Sequence, residues 1–404
     1  MTSPDQRPGA ATLLADLGLR PVINASGSVS RLGGTALAPE VVEAMATASR
    51  SFVPLVELQA WASAEIAAAT GAEAGCVASG AAACLFLAAA ACLARLNPAV
   101  MDRLPDTTGI PSEIVVHRAH RNPYDHALRA AGARFVEFGY MGPANPGTRR
   151  WQMEAAITDR TVAVFYPAAK TAGVLSLAEL SEIAHARGLP VIVDAAEMLP
   201  PAENLRRFIA DGADLVAYSG GKAIGAPAAS GMLAGRRDLV LSATAQQQDM
   251  YVRPGSWPGP QGGDTAAILP DPPQQPIGRI VKVGREEIVG FGVALRRYVR
   301  ADHAADSARW LAMARHIADA VDGYRGARAD VVIDHEVAIV TLTAAGPSAG
   351  DAAAGVIARL RQGEPRVWAG EDFLDDGMVA LNVQHLREDE VDVVVVRLRE
   401  VLAG

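Results

Sequence analysis

Between Glu113 and Tyr218 the chain repeats one pattern, and this alternation restricts the fold more than any other feature: a short apolar run, then an amphipathic stretch closed by glycine. Glu113 to His117, Arg134 to Phe138, Thr161 to Tyr166, Pro190 to Val193 and Leu215 to Tyr218 read as buried strands. Tyr124 to Ala131, stopped by Gly132, and Leu177 to Arg187, stopped by Gly188, read as helices between them. Strands and helices alternating at this spacing imply βαβ units, hence an α/β fold with a mostly parallel central sheet and helices on both faces. Ligands in such sheets sit at the carboxyl ends of the strands.

The flanks set the expected domain organisation. Met1 to Gly9 is polar with two prolines and is expected to be loosely attached. Pro21 to Gly34, PVINASGSVSRLGG, reads as a strand-like piece and a Gly/Ser turn presented to a cleft, with Asn24 and Arg31 as candidates for substrate contact. Helices are predicted over Pro39 to Arg50 and Val56 to Ala69, and a long Ala/Leu/Cys helix from Gly80 to about Leu96. Tyr251 to Pro276 is dense in Pro and Gly, so the domain change is placed there. The expected division is an amino-terminal arm and active-site loop (1–55), a large domain (56–275) and a smaller α+β carboxyl-terminal domain (276–404). The last opens on helices Glu286 to Arg300 and Asp306 to Val321.

With 404 residues, half of them hydrophobic, the chain can bury a large core. Its formal net charge of −8 argues against nucleic acid as the main partner, since binding a phosphate backbone needs a concentrated basic face. The Ala-rich run Ala81 to Ala94 is too short to span a bilayer, and no stretch has the make-up of a secretory signal, so no membrane partner is expected. Cys76, Cys84 and Cys92 read as small packing residues, not a disulfide or metal set. A cytoplasmic protein without a metal is the expectation.

The chemistry centres on Asp211 to Gly235, DGADLVAYSGGKAIGAPAASGMLAG, where Lys222 stands among small residues directly after a strand. The chain's lysines are Lys170, Lys222 and Lys282, against a large excess of arginine. A partly desolvated lysine amine can form a Schiff base with an aldehyde, which arginine cannot; a solvated loop lysine fits the same window. Asp194, at the end of Pro190 to Val193, could keep a pyridine nitrogen protonated, or could cap a helix. Ser79, Gly80, Ala81 and Ala82 stand at a strand-to-helix junction, where backbone N–H groups and the helix dipole favour a phosphate; a plain tight turn is the alternative. Ser219 could donate to the same phosphate. Together these features converge on a phosphorylated aromatic aldehyde cofactor.

The order SGAAA, VDAAE, SGGKAIGAP, with INASG in front and KVGREEIVG behind, resembles fold-type I pyridoxal-phosphate enzymes (aspartate aminotransferase-like), specifically the group similar to selenocysteine synthase (L-seryl-tRNA selenium transferase). The resemblance covers about residues 20 to 400. It implies pyridoxal 5′-phosphate, with Lys222 as the Schiff-base lysine, Asp194 at the pyridine nitrogen, and Ser79 to Ala82 with Ser219 at the phosphate. It also implies an aromatic or imidazole over the ring from His117 to His126, with His120 preferred and Tyr124 second. In such enzymes the dimer partner commonly contributes to each site, which points to Arg279 or Lys282 and to a homodimer or higher homo-oligomer. The tRNA-dependent members carry an additional amino-terminal domain, whereas this core begins by Pro21; a small-molecule amino acid substrate is therefore expected, in the branch resembling glucosaminate-6-phosphate ammonia-lyase.

The expected activity is that of a lyase: α,β-elimination, of the ammonia-lyase or dehydratase type, on a small amino acid or amino-sugar acid. The cofactor equally permits aldol cleavage or racemisation. Aminotransfer would need an arginine for the substrate carboxylate, and Arg366 or Arg387 could serve. A non-catalytic binding protein on the same fold would be marked by loss of the lysine or the aspartate, and both are present.

Overall fold

The computed structural model describes residues 10–142, 147–169, 171–248, 252–345 and 349–404. Met1–Gly9, Lys170 and Tyr251, on which some of the expectations fall, lie outside the described residues. In chain order the strands are β1 (Ile23–Ala25), β2 (Ala74–Ala78), β3 (Glu113–His117), β4 (Arg134–Phe138), β5 (Thr161–Pro167) and β6 (Val191–Asp194), then β7 (Leu215–Ser219), β8 (Gly231–Gly235), β9 (Arg328–Asp334), β10 (Val337–Thr343), β11 (Val367–Ala369) and β12 (Val379–Asn382).

The chain divides into two compact units, one running from Gly33 to Ala301, the other made of the residues up to Leu32 with Asp302–Gly404. These limits differ from the expected 55/56 and 275/276. The reason is the helix Arg285–Arg300, which packs on helices Pro39–Ala48 and Leu55–Thr70 and buries Ile288, Phe291 and Leu295. That apolar face needs the large unit's helices to cover it, so the Pro/Gly-rich segment is internal to that unit.

The larger unit is built on a seven-stranded sheet in the order β2-β8-β7-β6-β5-β3-β4. Neighbours from β4 to β7 are parallel, as the alternation requires, while β8 runs antiparallel to both β7 and β2. Alternate strand residues divide between two cores: Ile114, Phe165 and Ile192 on one face, Val115, Val164 and Val193 on the other. Strands covered on both faces are apolar throughout, which is why these runs show no polar alternation. Helix Ala81–Ala94 lies in the first core with Ala83 to Ala94 all buried; a helix apolar on every side has no solvent face. The three cysteines are free and buried, and burial pushes Cys76 and Cys92 up to about 12 and Cys84 upward as well, so these thiols pack and do not react.

In the smaller unit β12, β10 and β9 form a three-stranded antiparallel sheet, and β1 pairs with β11 in parallel. Its core holds Trp310, Ile317, Val340, Leu381 and Leu398. No helix among the described residues is long and apolar enough to cross a membrane.

Candidate active site

Two reversals of direction, β2 to β8 and β8 to β7, make β2 run parallel to β7, so the carboxyl ends of β2, β3, β6 and β7 share one edge of the sheet. On or just beyond that edge stand Ser79, His120, Asp194 and Lys222.

Lys222 lies in the loop that joins the antiparallel pair β7 and β8. Gly220 N donates to Ser230 O at 2.9 Å, Gly225 N to Lys222 O at 2.9 Å and Ala226 N to Gly220 O at 2.9 Å. From another segment, Thr35 Oγ1 donates to the Lys222 carbonyl at 2.8 Å, and Thr35 N to the Gly221 carbonyl at 3.1 Å. A Cβ on Gly221 would stand 2.6 Å from Ala228 Cα, so only glycine lets the loop fold back this closely. The backbone of Lys222 is thus pinned while its side chain stays 22% exposed and forms an ion pair with Glu197.

Asp194 ends β6, half-buried, and its Oδ1 accepts from Ala196 N at 3.0 Å. Burial holds its carboxyl above the ordinary carboxylate range; the Ala196 N–H and the charge of Lys222 oppose this, and Glu197 adds to it. Sequence reasoning passed over Glu197, although VDAAE contains it. Its approach to Lys222 depends on β6 and β7 being neighbours in the sheet, which no local pattern encodes.

His120 is 3% exposed, and neither ring nitrogen has a hydrogen-bond partner among the described residues. Its ring meets Tyr166 edge-on at 5.0 Å and His117 at 5.7 Å. Burial, then the neighbouring His117, lower its pKa to about 4, so the imidazole is neutral at pH 7. His117 is held in place: its Nδ1 accepts from Ala119 N at 3.0 Å, which leaves Nε2 to donate to Thr148 Oγ1 at 2.7 Å. Tyr124 stands 62% exposed at the start of helix Asp125–Ala130.

At the end of β2 the Ser79 hydroxyl donates to Val281 O at 3.1 Å, so this donor ties the turn to the segment Ile277–Val281. Gly80 has φ +102°, and a Cβ there would meet nothing within 4 Å. Beyond it Ala81 and Ala82 open the helix Ala81–Ala94, whose first-turn N–H groups have no carbonyl within the helix. Ser219 ends β7 opposite Gly231. Arg279 and Lys282 both line a cavity of about 200 Å³ with Gln59, Gln247 and Trp257, within the larger unit.

The other expected substrate contacts lie in the smaller unit. Asn24 Nδ2 donates to Gly27 O at 2.9 Å and its Oδ1 accepts from Ser26 N at 2.9 Å, so its amide shapes the Gly/Ser turn. Arg31 pairs with Glu371 at 3.2 Å, and Arg366 Nε donates to Arg361 O at 3.1 Å. Arg387 pairs with Asp389 at 3.0 Å.

These residues fit pyridoxal phosphate. Among the described residues the buried imidazole of His120 has two unmet nitrogens and the carboxylate of Asp194 lacks a cationic partner equal to its burial, while the space before Gly80 faces a helix start suited to a phosphate. A seven-stranded sheet with one antiparallel strand, a lysine loop after β7 and an aspartate ending β6 define a fold-type I pyridoxal-phosphate enzyme. Comparison with known proteins narrows this class. The family model described as L-seryl-tRNA selenium transferase matches residues 22–253, and the chain belongs to that family. It is 32% identical to the D-glucosaminate-6-phosphate ammonia lyase of Salmonella typhimurium, over 95% of this chain and 96% of that protein. It is 33% identical to a 5′-C-glycyluridine monooxygenase-decarboxylase of Streptomyces sp, over 98% of this chain and 94% of that protein. The solved structure of D-glucosaminate-6-phosphate ammonia-lyase superposes with a TM-score of 0.80 at 31% identity, covering 98% of this chain and 99% of that one. Serine palmitoyltransferase of Sphingomonas wittichii, 12% identical with a TM-score of 0.54 over 95% of this chain and 87% of that one, shares the fold. The protein is a pyridoxal-phosphate-dependent enzyme.

Proposed function

We propose that the protein is a lyase that carries out α,β-elimination on a small amino acid or amino-sugar acid. The observation that carries this reading is the end-to-end structural likeness to an ammonia-lyase, with a TM-score of 0.80 over 98% of the chain. In it Lys222 bonds the cofactor aldehyde, Ser79 to Ala82 with Ser219 hold the phosphate, Asp194 holds the ring nitrogen, and His120, with Tyr124 as the second candidate, covers the ring. When bound, the cofactor draws electrons from the carbon that bears the substrate amine. The substrate amine displaces Lys222 Nζ, which then takes the α-proton, its pinned backbone limiting the motion to the side chain. Asp194, half-buried and short of positive charge among the described residues, favours a cation held against it. Among the described residues His120 has two nitrogens without a hydrogen-bond partner and, being neutral, adds no charge. Asn24, Arg31 and Arg366 are the proposed substrate contacts.

The functional unit in this reading is a homodimer or larger, with Arg279 or Lys282 serving the cofactor site of the partner subunit. Mixing Lys222→Ala protein with Arg279→Ala/Lys282→Ala protein tests it: hybrids with one intact site regain activity, and an active monomer in sedimentation refutes it. Three free buried cysteines support a reducing, cytoplasmic setting.

A second reading, decarboxylation with oxygen insertion, is supported by the 33% identity to the monooxygenase-decarboxylase over 98% of the chain. One experiment separates the two. Purified protein is offered a panel of D- and L-amino acids and amino-sugar acids without any 2-oxo acid acceptor. Elimination releases ammonia and a 2-oxo acid together and is indifferent to oxygen. Oxygen uptake with CO2 release overturns it in favour of the second reading, and a requirement for an acceptor points to aminotransfer.

A further inference from the structure

Away from the candidate active site, arginines converge on one cavity beside β4, the strand that ends the seven-stranded sheet. Residues of β4 and of helix Asp125–Ala130 line it, and its volume of about 710 Å³ lies within the ~300–1,000 Å³ of small-molecule sites. Arg121, His126, Arg129 and Arg134 stand on its walls, and no aspartate or glutamate among the described residues does. Ala130 and Ala133 add little bulk, and Phe135 supplies an aromatic surface.

The backbone fixes where the two outer arginines stand. Gly132 turns the chain between them with φ +102°, where a Cβ would lie 2.5 Å from Pro105 O, and Thr107 Oγ1 donates to Gly132 O at 3.1 Å. Gly132 N donates to Arg129 O at 2.9 Å and Ala133 N to Leu128 O at 3.4 Å, so these helix-end carbonyls are met without any arginine side chain. Neither Arg129 nor Arg134 has an ion pair or side-chain hydrogen bond among the described residues, and both are exposed. Arg121 differs: it pairs with Asp125 and Glu137, and its guanidinium lies 4.8 Å over the Phe135 ring. Arg118 shares Glu137, so this group of two arginines and two carboxylates is neutral as a whole. The charges of Arg129 and Arg134 therefore stay uncompensated at the cavity, in a chain whose formal net charge is −8. A concave wall of one sign concentrates ions of the other.

We infer that this cavity binds a phosphate monoester. Two guanidinium forks match the charge and the oxygens of a phosphate dianion, which sits between Arg129 and Arg134. A bare phosphate fills only a small part of the space, so an organic body of sugar size lies over Phe135 and the alanines. None of the residues assigned to the cofactor lines the cavity, so the site is additional to that of the cofactor phosphate and does not depend on the elimination reading.

Calorimetric titration of the holoenzyme tests this. The probe is glucose 6-phosphate, which has no amine to replace Lys222 on the cofactor, with glucose and inorganic phosphate run beside it. Glucose 6-phosphate should bind more tightly than inorganic phosphate, and glucose should give no binding heat. Arg129→Gln and Arg134→Gln should each weaken binding by about tenfold, the effect of losing a hydrogen bond to a charged group, with the visible cofactor absorbance unchanged. Added salt should weaken binding to wild type, with no variant needed, and should affect Arg129→Gln/Arg134→Gln less. An affinity unchanged in the double variant places the phosphate elsewhere and overturns the site, as does the absence of measurable binding to wild type. Inorganic phosphate binding as tightly as the ester overturns the monoester as the ligand.

Discussion

Replacing Gly231 with alanine tests whether the turn at Gly80 holds the phosphate. Gly231 pairs with Ala78 on one side and Ser219 on the other, where β8 passes between the Gly80 turn and the lysine loop. A methyl there would stand 2.6 Å from the Gly80 carbonyl carbon and 2.8 Å from both Ala81 N and the Tyr218 carbonyl oxygen. Ordinary contact begins near 3.4 Å, so backbone must move by about 0.8 Å. Tyr218 is held within β7 and by its hydroxyl on Asn204 O at 2.8 Å, whereas Gly80 borders open space; the turn is what yields. The cofactor-free protein then relaxes by displacing the turn, and binding has to undo that displacement. Overpacking of this kind costs about 1–3 kcal/mol, which weakens pyridoxal phosphate binding by about 5- to 150-fold. Fluorescence titration of the cofactor-free variant measures this, with urea unfolding alongside. A dissociation constant within about twofold of wild type, together with a stability loss of about 1–3 kcal/mol, would refute the assignment of the phosphate to this turn.

Lys222→Ala should abolish both the borohydride-sensitive absorbance and the protein-bound pyridoxyl label; a label that persists on Lys170 or Lys282 refutes the assignment. Asp194→Asn should leave cofactor affinity within a few-fold but slow exchange of the substrate α-proton by about 100-fold or more, as expected when a charge partner is removed from a water-poor site. An NMR exchange assay that finds only a mild slowing would sink that role. Because His120 has a folded value of about 4 against 6.5, the unfolded chain binds the extra proton between those values. Stability is therefore fully present above about pH 6.5 and falls as the pH drops toward 4. His120→Asn should flatten the change in urea midpoint between about pH 7.5 and 5, only in part, because His385 is lowered to about 4 in the same direction. An unchanged slope would contradict the burial argument.

Much of the sheet was legible because its strands are covered on both faces: β3 and β4 fall on the residues read from their apolar runs. β8 was not, since GMLAG has glycine at both ends and too little bulk to register as a strand. Those glycines answer to neighbours distant in sequence; a Cβ on Gly235 would lie 1.9 Å from Asp214 O. Helix Arg285–Arg300 was legible as a helix, but its apolar stripe says that one face is buried, not which helices bury it. Lys222 and Asp194 announced themselves by standing at strand ends among small or apolar residues. Thr35, His117 and Glu197 take their places through contacts across the fold, to Lys222 O, Thr148 and Lys222 Nζ, which no local pattern encodes.

The placing of β8 also dictates when the protein can first hold its cofactor during synthesis. Within the sheet β2 is joined to the rest through β8, so the turn at Ser79 and Gly80 lacks its strand link to Asp194 until Gly231–Gly235 has been made and paired. The ribosome reaches that strand about 150 residues after completing β2, a delay of roughly 8–30 s at about 5–20 residues per second. Through that interval the nascent chain carries a finished turn with no lysine opposite it, and cofactor capture must wait for the late strand.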